Sequence, residues 1–137
     1  MRLAKDLMAA TSAPLVLAIL AEGESYGYAI IARVRELSNG EIEWTDGLLY
    51  PLLHRLEGSA LVASRWGQAE SGRKRRYYEI TDAGRDELAE HRRQWATAVG
   101  ALTQARVLAQ SVAHLRAHVV AHVVAQGSAQ GKGTLAW

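Results

Sequence analysis

Cysteine and phenylalanine are absent from this chain, and only two prolines interrupt its 137 residues. Without cysteine there is no disulfide, no thiol nucleophile and no cysteine-based zinc site, which suits a reducing cytoplasm. Long hydrophobic runs are missing too. The longest near the N-terminus, Ala13 to Ala21, is too short to cross a bilayer and gives way at once to polar turn residues. Neither a signal peptide nor a membrane helix is expected, and the chain reads as soluble and cytoplasmic. Carboxylates are missing from one region only: all 14 acidic residues lie at or before Glu90, so residues 91–137 carry none. Catalytic constellations are absent as well. There is no phosphate-cradling glycine loop, no HExxH and no serine with a placed histidine and acid, so neither an enzyme nor a cofactor is expected.

What is present is enough apolar material for a core. Hydrophobic residues make up 49% of the chain and charged residues 22%, a balance that suits one domain with an appendage rather than wholesale disorder. The net charge of +2 says little by itself. Its distribution says more: Arg73, Lys74, Arg75 and Arg76 form a run of four cations between Gly72 and the Tyr77-Tyr78 pair.

Hydrophobic spacing divides the chain into elements. Residues 2–10 suit a short helix with Leu3, Leu7 and Ala10 on one side. Thr11 or Ser12 then caps a second, nearly all-apolar helix in which Pro14 sits in the first turn. Ser25 is a cap for a third helix, from about Tyr26 to Leu37, with Ile30, Ile31, Val34 and Leu37 inward and Arg33, Arg35 and Glu36 outward. Ser38-Asn39-Gly40 ends it. Thr45 or Asp46 starts the next helix, whose packed face is Leu48, Leu49, Leu52, Leu53 and Leu56. Asp46, Gly47, Tyr50, Pro51, His54 and Arg55 are left for the other face, with Pro51 placed in the first turn.

After Gly58-Ser59 the period changes to that of strands. Leu61–Trp66 and Arg76–Thr81 read as a hairpin around the polar loop Gly67–Gly72. Thr81 caps the helix that begins at Asp82, whose carboxylate lies at the positive end. From there to about Gln126 no proline occurs. A single rod of that length reaches about 65 Å and cannot bury its apolar stripe on so small a domain. Leu88, Trp95, Val99 and Leu102 keep a near-heptad spacing, and Leu108, Val112, Leu115, Val119 and Val123 resume it one residue out of phase, with Gly100 near the slip. Two helices or one bent helix, packed on a second chain, are expected. The segment from Gly127 onward reads as a flexible tail.

The expected architecture is mainly α with a small β-hairpin (α+β): a winged helix-turn-helix domain over 1–81, a dimerisation segment over 82–126 and a tail over 127–137. A helix led by small and polar groups and followed directly by a basic hairpin suits duplex DNA. The helix start offers free N–H groups and a positive dipole end, and arginines on a glycine-bounded loop neutralise phosphate or fit a minor groove. Candidate DNA-binding residues are Thr45, Gly47, Tyr50, Pro51, His54, Arg55, Arg73, Lys74, Arg75 and Arg76.

Three segments carry a resemblance. Tyr26-Gly27-Tyr28-Ala29-Ile30, Gly47 to Glu57 (GLLYPLLHRLE) and Arg75 to Gly84 (RRYYEITDAG) resemble the PadR family of transcription regulators, whose motifs run roughly HGY-I, GTLYP-L-RLE and R-YY-LT--G. The resemblance spans about residues 13–95. It implies a homodimeric winged-helix repressor whose C-terminal helix crosses to the partner and whose activity is often relieved by a small, commonly aromatic molecule. It places Tyr50 on the recognition helix, Arg73 to Arg76 on the wing and Trp95 on the dimerisation helix. The chain departs from the motifs at Tyr26, where histidine is common, at Leu48, where threonine is common, and at Ala60, where glycine usually precedes the first wing strand.

Each candidate has a plainer alternative. Tyr50 either touches DNA or braces its helix against the wing, and His54 and Arg55 either reach the groove or are merely solvent-exposed or paired with Glu57. Asp46 repels phosphate and is read as a cap, with readout of a cytosine amino group as the alternative. One of Tyr77 and Tyr78 faces the core, and packing is the favoured role for the other. Trp95 is either an interface anchor or a stacking platform for a planar ligand. His114, His118 and His122 share one side of a helix, a spacing open to metal but more often only exposed. The expected partners are a palindromic double-stranded operator, a second copy of the chain and a small aromatic effector, with no membrane. The alternative function is a winged-helix protein-interaction module without DNA binding.

Overall fold

The structure is a computed structural model and describes residues 2–130. Its element order is α1 (Lys5–Glu22), β1 (Ser25–Tyr26), α2 (Gly27–Leu37), α3 (Asp46–Gly58), β2 (Val62–Gln68), β3 (Lys74–Ile80) and α4 (Asp82–Gln130). The chain divides into two compact units, Met1–Gln94 and Trp95–Trp137.

In the first unit the three leading helices pack on one another, α1 also meets β3, and α3 meets β2. The core is built from Val16, Leu17 and Leu20 of α1, Ile30 and Val34 of α2, and Leu49, Leu53 and Leu56 of α3, closed by Val62, Tyr78 and Leu88. Trp44, ahead of α3, is buried with them. Four of the five expected α3 leucines are buried, and Leu48 is only half-buried. Leu37, expected inward, is exposed at the last turn of α2.

The N-terminal helices are one helix, not two. Pro14 sits inside α1 and, having no N–H, leaves the Ala10 carbonyl without its usual helical donor. Thr11 and Ser12 do not cap a second helix. Their hydroxyls instead donate back to the carbonyls of Leu7 and Met8 within the same helix. Burial of Val16, Leu17, Ile19 and Leu20 along one continuous axis outweighs the lost hydrogen bond.

Ser25 is likewise not a cap. Ser25–Tyr26 forms β1, which pairs antiparallel with β3 so that Ser25 opposes Tyr78 and Tyr26 opposes Tyr77. The expected two-stranded hairpin is therefore a three-stranded sheet in the order β1-β3-β2. A two-residue strand has no period of its own, so only its partner reveals it.

Helix ends follow local rules more closely. At the end of α2, Asn39 takes the left-handed conformation (φ 53°), and the Gly40 N–H reaches the Arg35 carbonyl at 2.8 Å. At the end of α3, Ala60 does the same (φ 60°): its N–H bonds the Glu57 carbonyl at 2.9 Å and the Leu61 N–H the Leu56 carbonyl at 3.0 Å. Both are Schellman closures, the second with alanine where glycine is ordinarily favoured. Thr81 caps α4 as expected, accepting the Gly84 N–H at 3.0 Å while donating to the Ala60 carbonyl at 2.7 Å. Gly84 has no room for a side chain, since a Cβ there would collide with the Leu61 carbonyl. These contacts join the start of α4 to the start of the hairpin.

Beyond Trp95, α4 continues without a break at Gly100 and runs through Gly127 to Gln130, where a tail was expected from residue 127. An alanine-rich stretch tolerates isolated glycines in a helix. Val99, Leu102, Val112, Leu115, Val119 and Val123 are all exposed on it. The side chain of Leu108 and residues 131–137 lie outside what the structure describes. No helix among the described residues is long and apolar enough to cross a membrane.

Candidate nucleic-acid interface

The exposed stripe of α3 follows from its leucine pattern. Because Leu49, Leu52, Leu53 and Leu56 face the core, Thr45, Asp46, Gly47, Tyr50, Pro51, His54 and Arg55 are all left exposed on one stripe. Thr45 is the N-cap residue through its backbone. Its carbonyl accepts from Leu48 and Leu49 at 3.1 and 3.0 Å, and no side chain caps the helix. Asp46 is thus a first-turn residue rather than a cap, with its charge at the positive end of the helix. The helix starts at Asp46, which puts Pro51 past the first turn and leaves the exposed Gly47 carbonyl without its usual donor.

The wing is longer than the sequence pattern indicated. Gly67 and Gln68 pair with Arg75 and Lys74, so the loop shrinks to residues 69–73. It is closed by bonds from the Ala69 N–H to the Arg73 carbonyl and from the Gly72 N–H to the Ala69 carbonyl, both 2.9 Å, with Gly72 at φ 81°. Of the four cations, only Arg73 lies at the tip, while Lys74, Arg75 and Arg76 lie on β3. Ladder pairing extends to Gln68–Lys74 because strand hydrogen bonds need only backbone groups, which polar side chains do not prevent.

Alternation along β3 separates the cations by face. Tyr78 and Ile80 point into the core, and Arg76 and Lys74 continue that face outward, opposite Trp66 and Gln68. Arg76 Nε donates to Ser64 Oγ at 3.0 Å, and its Nη2 lies 3.5 Å from Glu57 Oε1. Its guanidinium carbon is 5.4 Å from the Trp66 ring centre. Glu57 thus faces the wing rather than His54 or Arg55. Burial pushes the Tyr78 phenol up from its ordinary pKa, partly offset by the nearby Arg76 charge.

On the opposite face, Arg75 lies over the Tyr26 ring at 3.8 Å, and Tyr77 meets Tyr26 edge-on at 5.8 Å. Arg65 stacks on Tyr77 at 4.9 Å and makes a two-pronged ion pair with Glu24, which raises its pKa. The outward tyrosine of the pair is therefore Tyr77, and it packs on Tyr26.

Between α3 and the wing lies an open groove of about 650 Å³, with Tyr28, Tyr50, Trp66, Arg73, Lys74 and Arg76 in its lining. Trp66 and Tyr28 are 64% and 78% exposed, large aromatic surfaces that the core does not use. Neither was singled out from the sequence. The register that sets Trp66 opposite Arg76 was the missing signal. On the other side of α3, a cleft of about 300 Å³ brings Lys5 of α1 beside Pro51 and Arg55. Trp95 belongs to the second unit and is half-buried.

A helix stripe freed from the core, a basic hairpin and a capped following helix are arranged as in a winged helix-turn-helix. The model of the PadR-like family of transcriptional regulators matches residues 16–90. The chain belongs to that family. Members of that family are transcriptional regulators rather than enzymes, and this chain is one of them. The PadR-like chain is 46% identical over 59 residues to the transcriptional regulator Rv3488 of Mycobacterium tuberculosis, a match covering 43% of this chain and 54% of that one. It therefore spans about half the length of that relative. Among solved structures, a PadR-like transcriptional regulator of Bacillus cereus superposes with a TM-score of 0.65 at 25% identity, over 73% of this chain and 95% of that one. A PadR family regulator of Eggerthella lenta gives 0.60 at 35% identity, over 72% and 84%.

Proposed function

We propose that this PadR-like protein is a cytoplasmic, homodimeric repressor that occludes a palindromic operator. The observation that carries the reading is the exposed stripe Thr45, Gly47, Tyr50, Pro51, His54 and Arg55, which faces solvent beside the wing cations Arg73 and Lys74. In this reading α3 enters the major groove and the wing lies on the adjacent backbone or minor groove. Arg75 and Arg76 come next along β3, where Arg75 is stacked on Tyr26 and Arg76 is paired with Glu57. A two-fold dimer meets half-sites one helical turn apart, about 34–36 Å. The exposed stripe of Val99, Leu102, Val112, Leu115, Val119 and Val123 supports pairing with a second copy, since a helix leaving that much apolar surface in water gains by covering it.

A mobility shift with the DNA upstream of the protein's own coding sequence, repeated across salt concentrations, tests the reading. The expected result is a complex whose affinity falls steeply with salt. Salt-insensitive binding, or no complex on any duplex, would instead favour a protein-interaction module. Effector relief at Trp95 is a further part of the proposal. Planar aromatic compounds should quench tryptophan fluorescence in the wild type beyond a Trp95→Leu control, and equal quenching in both removes that part.

A further inference from the structure

The four consecutive cations of the wing differ in what surrounds them. All four line the open groove. Arg73 and Lys74 have no ion-pair partner among the described residues; Arg75 has none either, but its guanidinium is stacked over the Tyr26 ring at 3.8 Å. Arg76 is one arm of a three-membered clamp. Ser64 Oγ donates to Glu57 Oε1 at 2.7 Å, and Arg76 bonds both members, Ser64 Oγ at 3.0 Å and the same Glu57 oxygen at 3.5 Å. Glu57 sits in the last turns of α3, Ser64 on β2 and Arg76 on β3, so one carboxylate ties the recognition helix to both strands of the wing.

A carboxylate on a DNA-facing surface is a liability, because it repels phosphate. Glu57 faces the wing from the last turn of α3 with its side chain one-third exposed, and the cation it pairs with is Arg76. Its charge offsets that of Arg76 locally, so Arg76 adds little net positive potential to the groove. Exposed ion pairs contribute little to global stability, so the clamp's effect should appear in geometry rather than in melting. The distance between a recognition helix and its wing decides whether both reach their grooves at once, and that requirement is met only on a correctly shaped site.

We propose that Glu57, Ser64 and Arg76 form a positioning clamp that sets the wing against α3 and so confers sequence discrimination, while Arg73 and Lys74 neutralise phosphate. This rests on the DNA-binding reading above.

The test uses the full-length protein with two probes: an operator selected by the wild type from a random-sequence duplex pool, and a random duplex of equal length. The variants are Arg73→Gln/Lys74→Gln, Glu57→Ala and Arg76→Gln, with Arg76→Lys as a conservative partner and melting curves as folding controls. Neutralising Arg73 and Lys74 should lower the salt slope by about 0.9 for each phosphate that is no longer neutralised, equally on both probes. Glu57→Ala should leave random-duplex binding unchanged or tighter, yet weaken the operator, lowering the operator-to-random ratio about tenfold, within the range of one mismatched base pair. Arg76→Gln should lower the same ratio at an unchanged salt slope, and Arg76→Lys should restore part of it. A lowered slope with an unchanged ratio in Arg76→Gln would make Arg76 a phosphate contact and overturn the clamp, as would an unchanged ratio in Glu57→Ala. Failure of the wild type to bind any duplex overturns the DNA-binding reading and the clamp with it. Duplex binding with an unmoved ratio overturns the clamp alone.

Discussion

The hydroxyl of Tyr50 rests on the backbone of Gly27. A Cβ built at Gly27 would lie 2.5 Å from Tyr50 Oη and 3.0 Å from its Cζ, so this α3 tyrosine is seated by a residue that has no side chain. This joins two motifs about twenty residues apart, the first turn of α2 and the exposed stripe of α3. Gly27→Ala should push the Tyr50 ring outward rather than unfold the domain, because Tyr50 is exposed and free to swing. Operator affinity should fall about tenfold, equivalent to about 1.4 kcal/mol. The melting temperature should move by no more than about 5 °C. Unchanged operator binding would show that the seat does not matter to recognition.

Ala60 offers a stability test in the other direction. It holds the left-handed position of a Schellman closure with φ 60°, a conformation that costs an L-residue about 1–2 kcal/mol. Ala60→Gly removes that strain, less the extra freedom glycine gives the unfolded chain, for a net gain of about 0.5–1 kcal/mol. A rise of about 2–8 °C in thermal melting is expected. A fall would mean that the Ala60 methyl makes packing contacts worth more than the strain.

Exposed apolar side chains on α4 supply a third test. Leu115→Lys/Val119→Lys places charge on the stripe proposed to face a second copy. Light scattering should show the mass moving from twice 14.9 kDa toward 14.9 kDa. Operator affinity should fall with it, since two half-sites bind cooperatively only when joined. A variant that keeps the wild-type mass would move the dimer contact elsewhere.

Glu22 provides a pH test. Hydrogen bonds from Arg33 hold its carboxyl below the ordinary carboxylate value, linking the end of α1 to α2. A lowered folded-state pKa contributes stability that is present above the unfolded value and lost as pH falls through the folded one. Glu22→Gln should therefore melt slightly below wild type near neutral pH, with the gap closing in acid below the usual carboxylate range. Both groups are solvent-exposed, so the gap is small. A gap that persists or widens in acid would assign the effect to something other than this ion pair.

The residue pattern made much of this protein legible. Leucines at 49, 52, 53 and 56 must lie inward, so Tyr50, His54 and Arg55 lie outward. Thr81 ahead of Asp82 marks a helix start in the sequence and is one in the fold. These are local relations, set by helical period and by unsatisfied N–H groups at a helix end. Local reasoning failed where a distant partner decided the outcome. Pro14 reads as a boundary, yet burial carries α1 through it, and Ser25 reads as a cap until β3 is there to pair with β1.

The winged helix-turn-helix itself, with a basic hairpin following a helix whose polar stripe faces away from its leucines, was determined by the sequence alone, because periodicity dictates which side chains can be buried. How the four wing cations divide was not. Arg73 to Arg76 are equivalent as a run of letters; only the pairing of β3 with β1 sends Arg75 to Tyr26, and only its register with β2 sends Arg76 to Ser64 and Glu57. Tertiary structure decided this because strand alternation assigns each cation a face, and only long-range pairing determines what waits on that face.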